Sequence, residues 1–193
     1  MEPMGNSVGV TVWFTGLPSA GKSTLGSAVA RRLEQMGLPV ELLDSDVTRK
    51  KLSADLDFSP PAREENMRRL AFVADLLARN GVITLVAAIS PYRALREEIR
   101  RNSSNFLEVY VNAPLEICER RDVKGFYRRA RSGEIRDFTG IGDIYEPPLL
   151  PEVECHTDFE NLEACVEKVM AQIAMQTQFA WAQTAASAVH HSD

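Results

Sequence analysis

The stretch TGLPSAGKSTL, residues Thr15–Leu25, decides the fold of this chain. It contains the pattern G-x-x-x-x-G-K-[ST], which is typical of a phosphate-binding loop (P-loop). Its glycines let backbone N–H groups turn towards phosphate oxygens, and a helix after the loop presents the positive end of its dipole to the same anion. Lys22 is expected to reach the β- and γ-phosphates, Ser23 to bind Mg²⁺, and Thr24 to contact the α-phosphate.

A chance match to this pattern is the alternative interpretation. With ordinary glycine usage, a chain of this length contains such a match roughly once in a hundred cases. The surrounding sequence lowers that figure, because an apolar β-branched run, Val8–Thr15, ends at the loop and a helical pattern begins after it. This strand–loop–helix context is the one in which the pattern binds phosphate.

Apolar runs and helical patterns alternate along the rest of the chain. Further strands are predicted over 39–44, 82–89 and 105–112, and the most apolar of them, 82–89, is expected to be central. A helix over 22–37 is predicted to end at Gly37, and Ser90 and Pro91 are expected as N-cap and N1 of another. The alternation predicts an α/β fold of the P-loop type, a three-layer sandwich whose mostly parallel sheet carries helices on both faces.

The bulk properties indicate one domain over 1–193, with a core at about 8–175 and a C-terminal tail at about 177–193. The net charge of −5 argues against a general nucleic-acid or membrane binder. An odd count of three cysteines, with no metal-ligand spacing and no secretory pattern at the N-terminus, favours a cytoplasmic protein. The segment 124–151 is rich in Arg, Gly and Pro and is predicted to be a mobile lid.

The class of P-loop protein follows from what accompanies the loop. The strand over 82–89 ends at Ser90 without the acid that P-loop motors and GTPases usually carry there, and no guanine-reading motif is present. A compact chain with a candidate lid favours a small-molecule kinase that uses ATP.

Two carboxylates at the end of the second strand are candidates for the chemistry of such a kinase. Asp44 and Asp46 in LLDSDVTRKKL follow an apolar run, and the carboxyl end of a parallel strand faces the ligand crevice. One could accept the proton of an acceptor hydroxyl and the other could order water on Mg²⁺. The alternative for Asp46 is a helix N-cap.

Cationic and aromatic residues supply candidates for the acceptor site. Arg63 and Asn66 share one face at the start of a helix, although a solvated charged face is the commoner role for such a run. The segment 119–137 concentrates arginines, which suits a lid closing over phosphates better than a nucleic-acid patch because acids are interleaved. Phe58 and Phe138 could stack on a base, although lone aromatics are more often core residues.

Taken together, these motifs resemble those of the adenylyl-sulfate kinase (APS kinase) family. The resemblance covers about residues 10–173, and ISPYR, CERRDVKG and FTGI followed by YEPP are its most specific parts. The matching stretches are GLPSAGKST, LLDSDVTR, DFSPPAREENMRR, AAISPYRALREEIR, FLEVYVNAPLEICERRDVKGFYRRARSGEI, DFTGIGDIYEPPLLPE and TDFENLEACVEKV.

The resemblance implies that the γ-phosphoryl group of ATP is transferred to the ribose 3′-hydroxyl of adenylyl sulfate. It implies that Asp46, Lys22 and Asp44 are catalytic and that Ser23 and Asp46 hold Mg²⁺. The implied ATP site comprises Gly16, Leu17, Pro18, Ser19, Ala20, Gly21, Lys22, Ser23, Thr24 and Arg121. The implied acceptor site comprises Arg49, Phe58, Arg63, Asn66, Ile89, Ser90, Pro91, Lys124 and Phe138. The resemblance also implies a homodimer, with a functional link to an ATP sulfurylase.

Four positions on the acceptor side depart from the family pattern. Ser45 replaces Gly, Val47 replaces Asn, Asp57 replaces Gly and Ala62 replaces Asp. These changes keep open the alternative of a P-loop kinase of another small hydroxyl-bearing metabolite. A further alternative, from another class of protein, is a weakly active nucleotide-binding subunit of a sulfate-activating complex. Asp57 either adds negative charge beside an anionic substrate or points away to cap a helix or pair with an arginine.

Overall fold

The computed structural model describes residues 9–177, which form a five-stranded parallel sheet and its covering helices. The strand order is β2-β3-β1-β4-β5, and every pairing is parallel. The strands are β1 Val10–Thr15, β2 Val40–Asp44, β3 Ile83–Ala87, β4 Phe106–Asn112 and β5 Val153–His156. The predicted tail beyond residue 177 lies outside the described residues.

The connections between consecutive strands are helical, as right-handed parallel crossovers require. The helices are α1 Lys22–Gln35, α2 Ser45–Leu52, α3 Pro60–Arg79, α4 Arg93–Asn102, α5 Leu115–Arg121, α6 Phe126–Arg131 and α7 Leu162–Thr177. The helix predicted over 22–37 ends as expected, because Gly37 follows the C-cap residue Met36 with a φ of 73°. None of the helices within 9–177 is long and apolar enough to cross a membrane.

Two hydrophobic clusters, one on each side of the sheet, give the molecule its three layers. Successive residues of a strand point to opposite faces, so Phe14 packs with residues of α1 and α7 whereas Trp13 packs with residues of α3 and α4. All six residues of β1 are buried. The predicted three-layer α/β sandwich is therefore confirmed.

Two local predictions were wrong. The central strand is β1, and β3 lies between β2 and β1, because an apolar run shows that both faces are covered but not where the strand lies in the sheet. Ser90 and Pro91 do not begin the following helix, which starts at Arg93 with Tyr92 as its N-cap. Ser90 instead adopts a φ of 40°, and its hydroxyl accepts a hydrogen bond from the indole of Trp13 at 2.9 Å.

Candidate active site

The P-loop curls between the buried end of β1 and the start of α1. Gly16 must be glycine because a Cβ there would lie 2.3 Å from the carbonyl oxygen of Val111. Gly21, the N-cap residue of α1, has a φ of 111°, and Ser19 has a φ of 60°. These left-handed conformations turn the loop back on itself, so the amides at the start of α1 face one side, where an anion is stabilised.

Lys22 places a buried ammonium group inside this loop. Only 9% of the residue is exposed, and its Nζ donates to the carbonyl oxygens of Gly16 at 3.0 Å and Leu17 at 2.7 Å. Burial lowers the pKa of Lys22 to about 8, although the thiol of Cys118 and the carboxylates of Asp46 and Asp44 act in the opposite direction. Within residues 9–177 this ammonium group has no direct carboxylate partner, so it is suited to binding the phosphates of a nucleotide.

The hydroxyl of Ser23 donates to Asp44 Oδ2 at 2.5 Å, which joins the P-loop to the end of β2. Asp44 is also the N-cap of α2, because its Oδ1 accepts the backbone N–H of Asp46 at 2.9 Å. The N-cap considered for Asp46 therefore belongs to Asp44. One hydroxyl and one carboxylate at the mouth of a phosphate loop fit Mg²⁺, which is usually bound by one or two carboxylates together with water and substrate phosphates.

Asp46 forms an ion pair with Lys124. Both side chains are more than half exposed, so the pair spans the mouth of the site from α2 to the segment between α5 and α6. No cluster of three or more His, Cys, Asp or Glu side chains suited to a metal occurs within 9–177. Asp44 thus contacts the P-loop through Ser23, whereas Asp46 pairs with Lys124.

Arg49 and Phe58 form one wall of the acceptor side. The guanidinium of Arg49 lies 4.4 Å from the centroid of the Phe58 ring, and the same group donates to the carbonyl oxygens of Leu56 and Asp57. Phe58 is 75% exposed. A large aromatic ring held open to solvent by an arginine is available to stack on a planar ligand.

Arg63 and the buried Asn66 lie on the face of α3 that lines the same space. Arg63 Nη1 donates to Thr139 Oγ1 at 3.4 Å, and its Nη2 lies 3.0 Å from Asp143 Oδ2. The solvated face considered as the alternative does not apply to Arg63, whose side chain is only 18% exposed.

Arg121 borders the P-loop on its other side. It donates to the carbonyl oxygen of Ala20 at 3.4 Å and to the hydroxyl and carbonyl oxygens of Thr157 at 3.1 and 2.6 Å. Thr157 follows β5 and donates to the same Ala20 carbonyl at 2.7 Å. Thr157 was missed in the sequence analysis, because the short strand β5 that places it beside the P-loop was not predicted either.

A single cleft of about 910 Å³ collects nearly all of the predicted site residues. The exceptions are Gly16, Leu17 and Ala20, three residues of the phosphate loop itself. Asp44, Asp46 and Lys124 line the cleft between the two substrate sides. Ile89, Ser90 and Pro91 lie in its floor, where the Ser90 hydroxyl is engaged by Trp13 and Thr15.

The family model for adenylylsulphate kinase matches residues 8–156. The chain belongs to the adenylylsulphate kinase family. The adenylyl-sulfate kinases of Synechococcus sp. (strain JA-3-3Ab) and Picosynechococcus sp. are 58% and 59% identical over 165 residues, which cover 86% of this chain and 94% and 93% of theirs. The resemblance and the assignment as an ATP-dependent kinase are therefore confirmed.

Solved structures of the adenylylsulphate kinase family have the same fold. The Mycobacterium tuberculosis APS kinase in complex with AMPPNP and APS is 43% identical and superposes with a TM-score of 0.80 over 84% of this chain and 96% of that one. The hexameric APS kinase from Thiobacillus denitrificans is 31% identical, with a TM-score of 0.67 over 89% of this chain and 30% of that one.

The predicted lid of this family member is anchored at both ends. Near its start, the buried Tyr127 donates to the carbonyl oxygen of Pro18 at 3.0 Å, and near its end Tyr145 shares a 3.0 Å hydrogen bond with Thr15. Residues 131–137 between these anchors are almost all exposed. Motion of 124–151 stays a prediction, and we expect it to be concentrated in 131–137.

Of the four departures from the family pattern, Asp57 has the most definite role. Its Oδ1 accepts hydrogen bonds from the N–H and hydroxyl of Ser59, at 2.9 and 2.6 Å, at the start of α3. These bonds to Ser59 are the main reason that the pKa of Asp57 is lowered. Asp57 thus caps the turn that leads into α3, as one of the two alternatives predicted.

Proposed function

We propose that the protein transfers the γ-phosphoryl group of ATP to the ribose 3′-hydroxyl of adenylyl sulfate, giving 3′-phosphoadenylyl sulfate and ADP. One observation carries this proposal: the P-loop and the acceptor residues implied by the family resemblance line the same cleft, with Asp44, Asp46 and Lys124 between them. A phosphoryl donor and a sulfated nucleotide acceptor would meet at these residues.

On the donor side, the loop amides and Lys22 would bind the β- and γ-phosphates, and Arg121 would border the nucleotide. Ser23 and Asp44 would hold Mg²⁺, which neutralises charge on the transferring phosphoryl group when bound. Asp44 is favoured over the predicted Asp46 as the metal carboxylate because only Asp44 contacts Ser23.

On the acceptor side, Phe58 and Phe138 would take the adenine, while Arg49, Arg63 and Lys124 would face the phosphate–sulfate group. Asp46 would accept the proton of the 3′-hydroxyl. At the same time the 3′-oxygen would form a bond to the γ-phosphorus, and the bond between the γ-phosphorus and the β,γ-bridging oxygen would break. In the structure Asp46 is paired with Lys124. Engagement of Lys124 by the anionic acceptor would release this carboxylate for proton transfer.

The deciding experiment is coupled ADP release with adenylyl sulfate as acceptor, with AMP and a sugar acid as controls. We expect turnover with adenylyl sulfate only, together with a new 3′-phosphorylated product. Turnover with another alcohol and none with adenylyl sulfate would favour a kinase with a changed acceptor, which Val47 and Ala62 motivate. ATP binding without ADP release from any acceptor would favour the nucleotide-binding subunit.

The remaining proposals concern the setting of the enzyme. We propose a homodimer that works beside an ATP sulfurylase in the cytoplasm. The free and buried state of Cys118, Cys155 and Cys165 supports a reducing compartment. Light scattering coupled to size-exclusion chromatography tests the dimer, and a mass of one chain would contradict it.

A further inference from the structure

The carboxylate of Asp143 lies between two residues of the acceptor side and was not among the predicted site residues. Its Oδ2 is 3.0 Å from Nη2 of Arg63 and accepts a 2.7 Å hydrogen bond from the hydroxyl of Tyr92. The side chains of Asp143 and Arg63 are 16% and 18% exposed. Burial and this hydrogen bond raise the pKa of Tyr92 to about 12, so its hydroxyl remains protonated and donates.

Asp143 closes a tight turn that also carries Phe138, a predicted acceptor residue, and Thr139, which accepts a hydrogen bond from Arg63. The N–H groups of Ile141, Gly142 and Asp143 all donate to the carbonyl oxygen of Phe138, at 2.9, 3.0 and 3.2 Å. The turn is closed by a 2.8 Å bond from the N–H of Gly140 to the carbonyl oxygen of Asp143. Residues 138–143 therefore form one compact unit, here called the 138–143 turn, in which the backbone of Asp143 is bonded directly to that of Phe138.

The ion pair fixes Arg63 without using all of its donors. Nη1 donates to Thr139 of the same turn, whereas Nε and Nη2 are buried and have no hydrogen-bond partner within residues 9–177. Asp143 lies close to Nη2 but outside hydrogen-bonding alignment. Buried guanidinium donors without partners are costly unless a ligand uses them, and Arg63 is one of the residues that line the cleft.

We propose that Asp143 is a positioning residue of the acceptor site. It holds the guanidinium of Arg63 in place, with help from Tyr92, so that this group is presented to the phosphate–sulfate group of the acceptor. Through the 138–143 turn, it also sets the distance between this cation on α3 and the aromatic ring of Phe138. The inference rests on the proposed function, because it names the element that arranges the cation and the ring for adenylyl sulfate.

The test compares KM for adenylyl sulfate, KM for ATP, kcat and Tm in wild type, Asp143→Asn and Asp143→Ala. The Asn variant keeps the shape and an acceptor for Tyr92, and removes only the charge. We expect Asp143→Ala to raise KM for adenylyl sulfate about tenfold, which corresponds to the usual interaction energy between two contacting residues. Asp143→Asn should raise this KM less. KM for ATP should stay within about twofold of the wild-type value.

A double-mutant cycle with Arg63→Ala separates positioning from general destabilisation. If Asp143 acts through Arg63, Asp143→Ala adds little to KM for adenylyl sulfate in the Arg63→Ala background. Asp75→Asn is the matched control, because Asp75 is 18% exposed and pairs with Arg79 at the far end of the same helix. We expect this control to lower Tm without changing either KM.

The outcomes separate the two proposals. Wild-type protein that releases no ADP with adenylyl sulfate overturns the proposed function and this inference together. Active wild type, with an unchanged KM for adenylyl sulfate in both Asp143 variants, overturns the inference alone. The inference is also overturned if KM rises equally for ATP and for adenylyl sulfate. It is overturned likewise if the effects of Asp143→Ala and Arg63→Ala on KM are additive, because either result assigns Asp143 a structural role only.

Discussion

The phosphate loop and the acceptor wall lie in one cleft, but they are built in different ways. The loop is one continuous stretch, Gly16–Thr24, inside which Lys22 donates to the carbonyl oxygens of Gly16 and Leu17. The acceptor wall is assembled from α2, α3, the segment after β3 and the 138–143 turn, and side-chain contacts hold it together. The contrast teaches that a local motif fixes the donor site, whereas packing of distant segments fixes the acceptor site.

The largest effect is expected when Lys22 is removed from the donor site. We expect Lys22→Ala to lower kcat about 10²–10³-fold, the range for removing one preorganised donor from a charged transition state. ADP release measures the rate, and circular dichroism should show an intact fold. Lys51→Ala, at an exposed lysine, is the control. A near-normal kcat in Lys22→Ala would remove this residue from its proposed role.

Asp44→Asn tests the junction between the loop and β2. We expect the Mg²⁺ concentration for half-maximal rate to rise about 10- to 100-fold, since groups that support a metal contribute at that level. Asn is as good an N-cap as Asp, so α2 and the Tm should be preserved. The measurement is a Mg²⁺ titration of ADP release at saturating ATP. An unchanged titration curve would show that Asp44 serves α2 only.

Arg63→Ala tests the acceptor half. We expect KM for adenylyl sulfate to rise by roughly tenfold, since a hydrogen bond to a charged group is worth about 1.5 kcal/mol or more. KM for ATP should change little. Arg68→Ala is the matched control, because Arg68 lies on the same helix but pairs with Glu98 on the surface. A comparable rise in KM for ATP would place Arg63 on the donor side.

The smallest effect is expected at Asp57, whose charge lies on the acceptor side. Because the Asp57 carboxylate is engaged by Ser59, Asp57→Asn should keep the turn and change KM for adenylyl sulfate by less than about twofold. Steady-state kinetics at low and moderate salt measure this. A clear fall in KM that fades as salt is added would show that the charge of Asp57 repels the substrate.

Much of the fold was predictable because its signals are local. The β-branched run before Gly16, the helical pattern after Lys22 and the prolines at the start of α3 each specify one element. The start of α4 was not predictable from Ser90 and Pro91. There, the buried indole of Trp13 takes the Ser90 hydroxyl that a cap would have used.

The phosphate loop and the alternating α/β order follow from the sequence alone, and the family resemblance supplied most of the candidate residues around the cleft. A P-loop needs only a fixed spacing of its glycines, lysine and hydroxyl residue, together with backbone freedom at the glycines. Both are properties of one short stretch of sequence. The tertiary structure decided that Asp44 rather than Asp46 contacts Ser23, that Asp46 pairs with Lys124, and that Asp143 holds Arg63. These pairings depend on how α2, α3 and the 138–143 turn pack against the sheet, and such long-range geometry is not encoded by the spacing of any one motif.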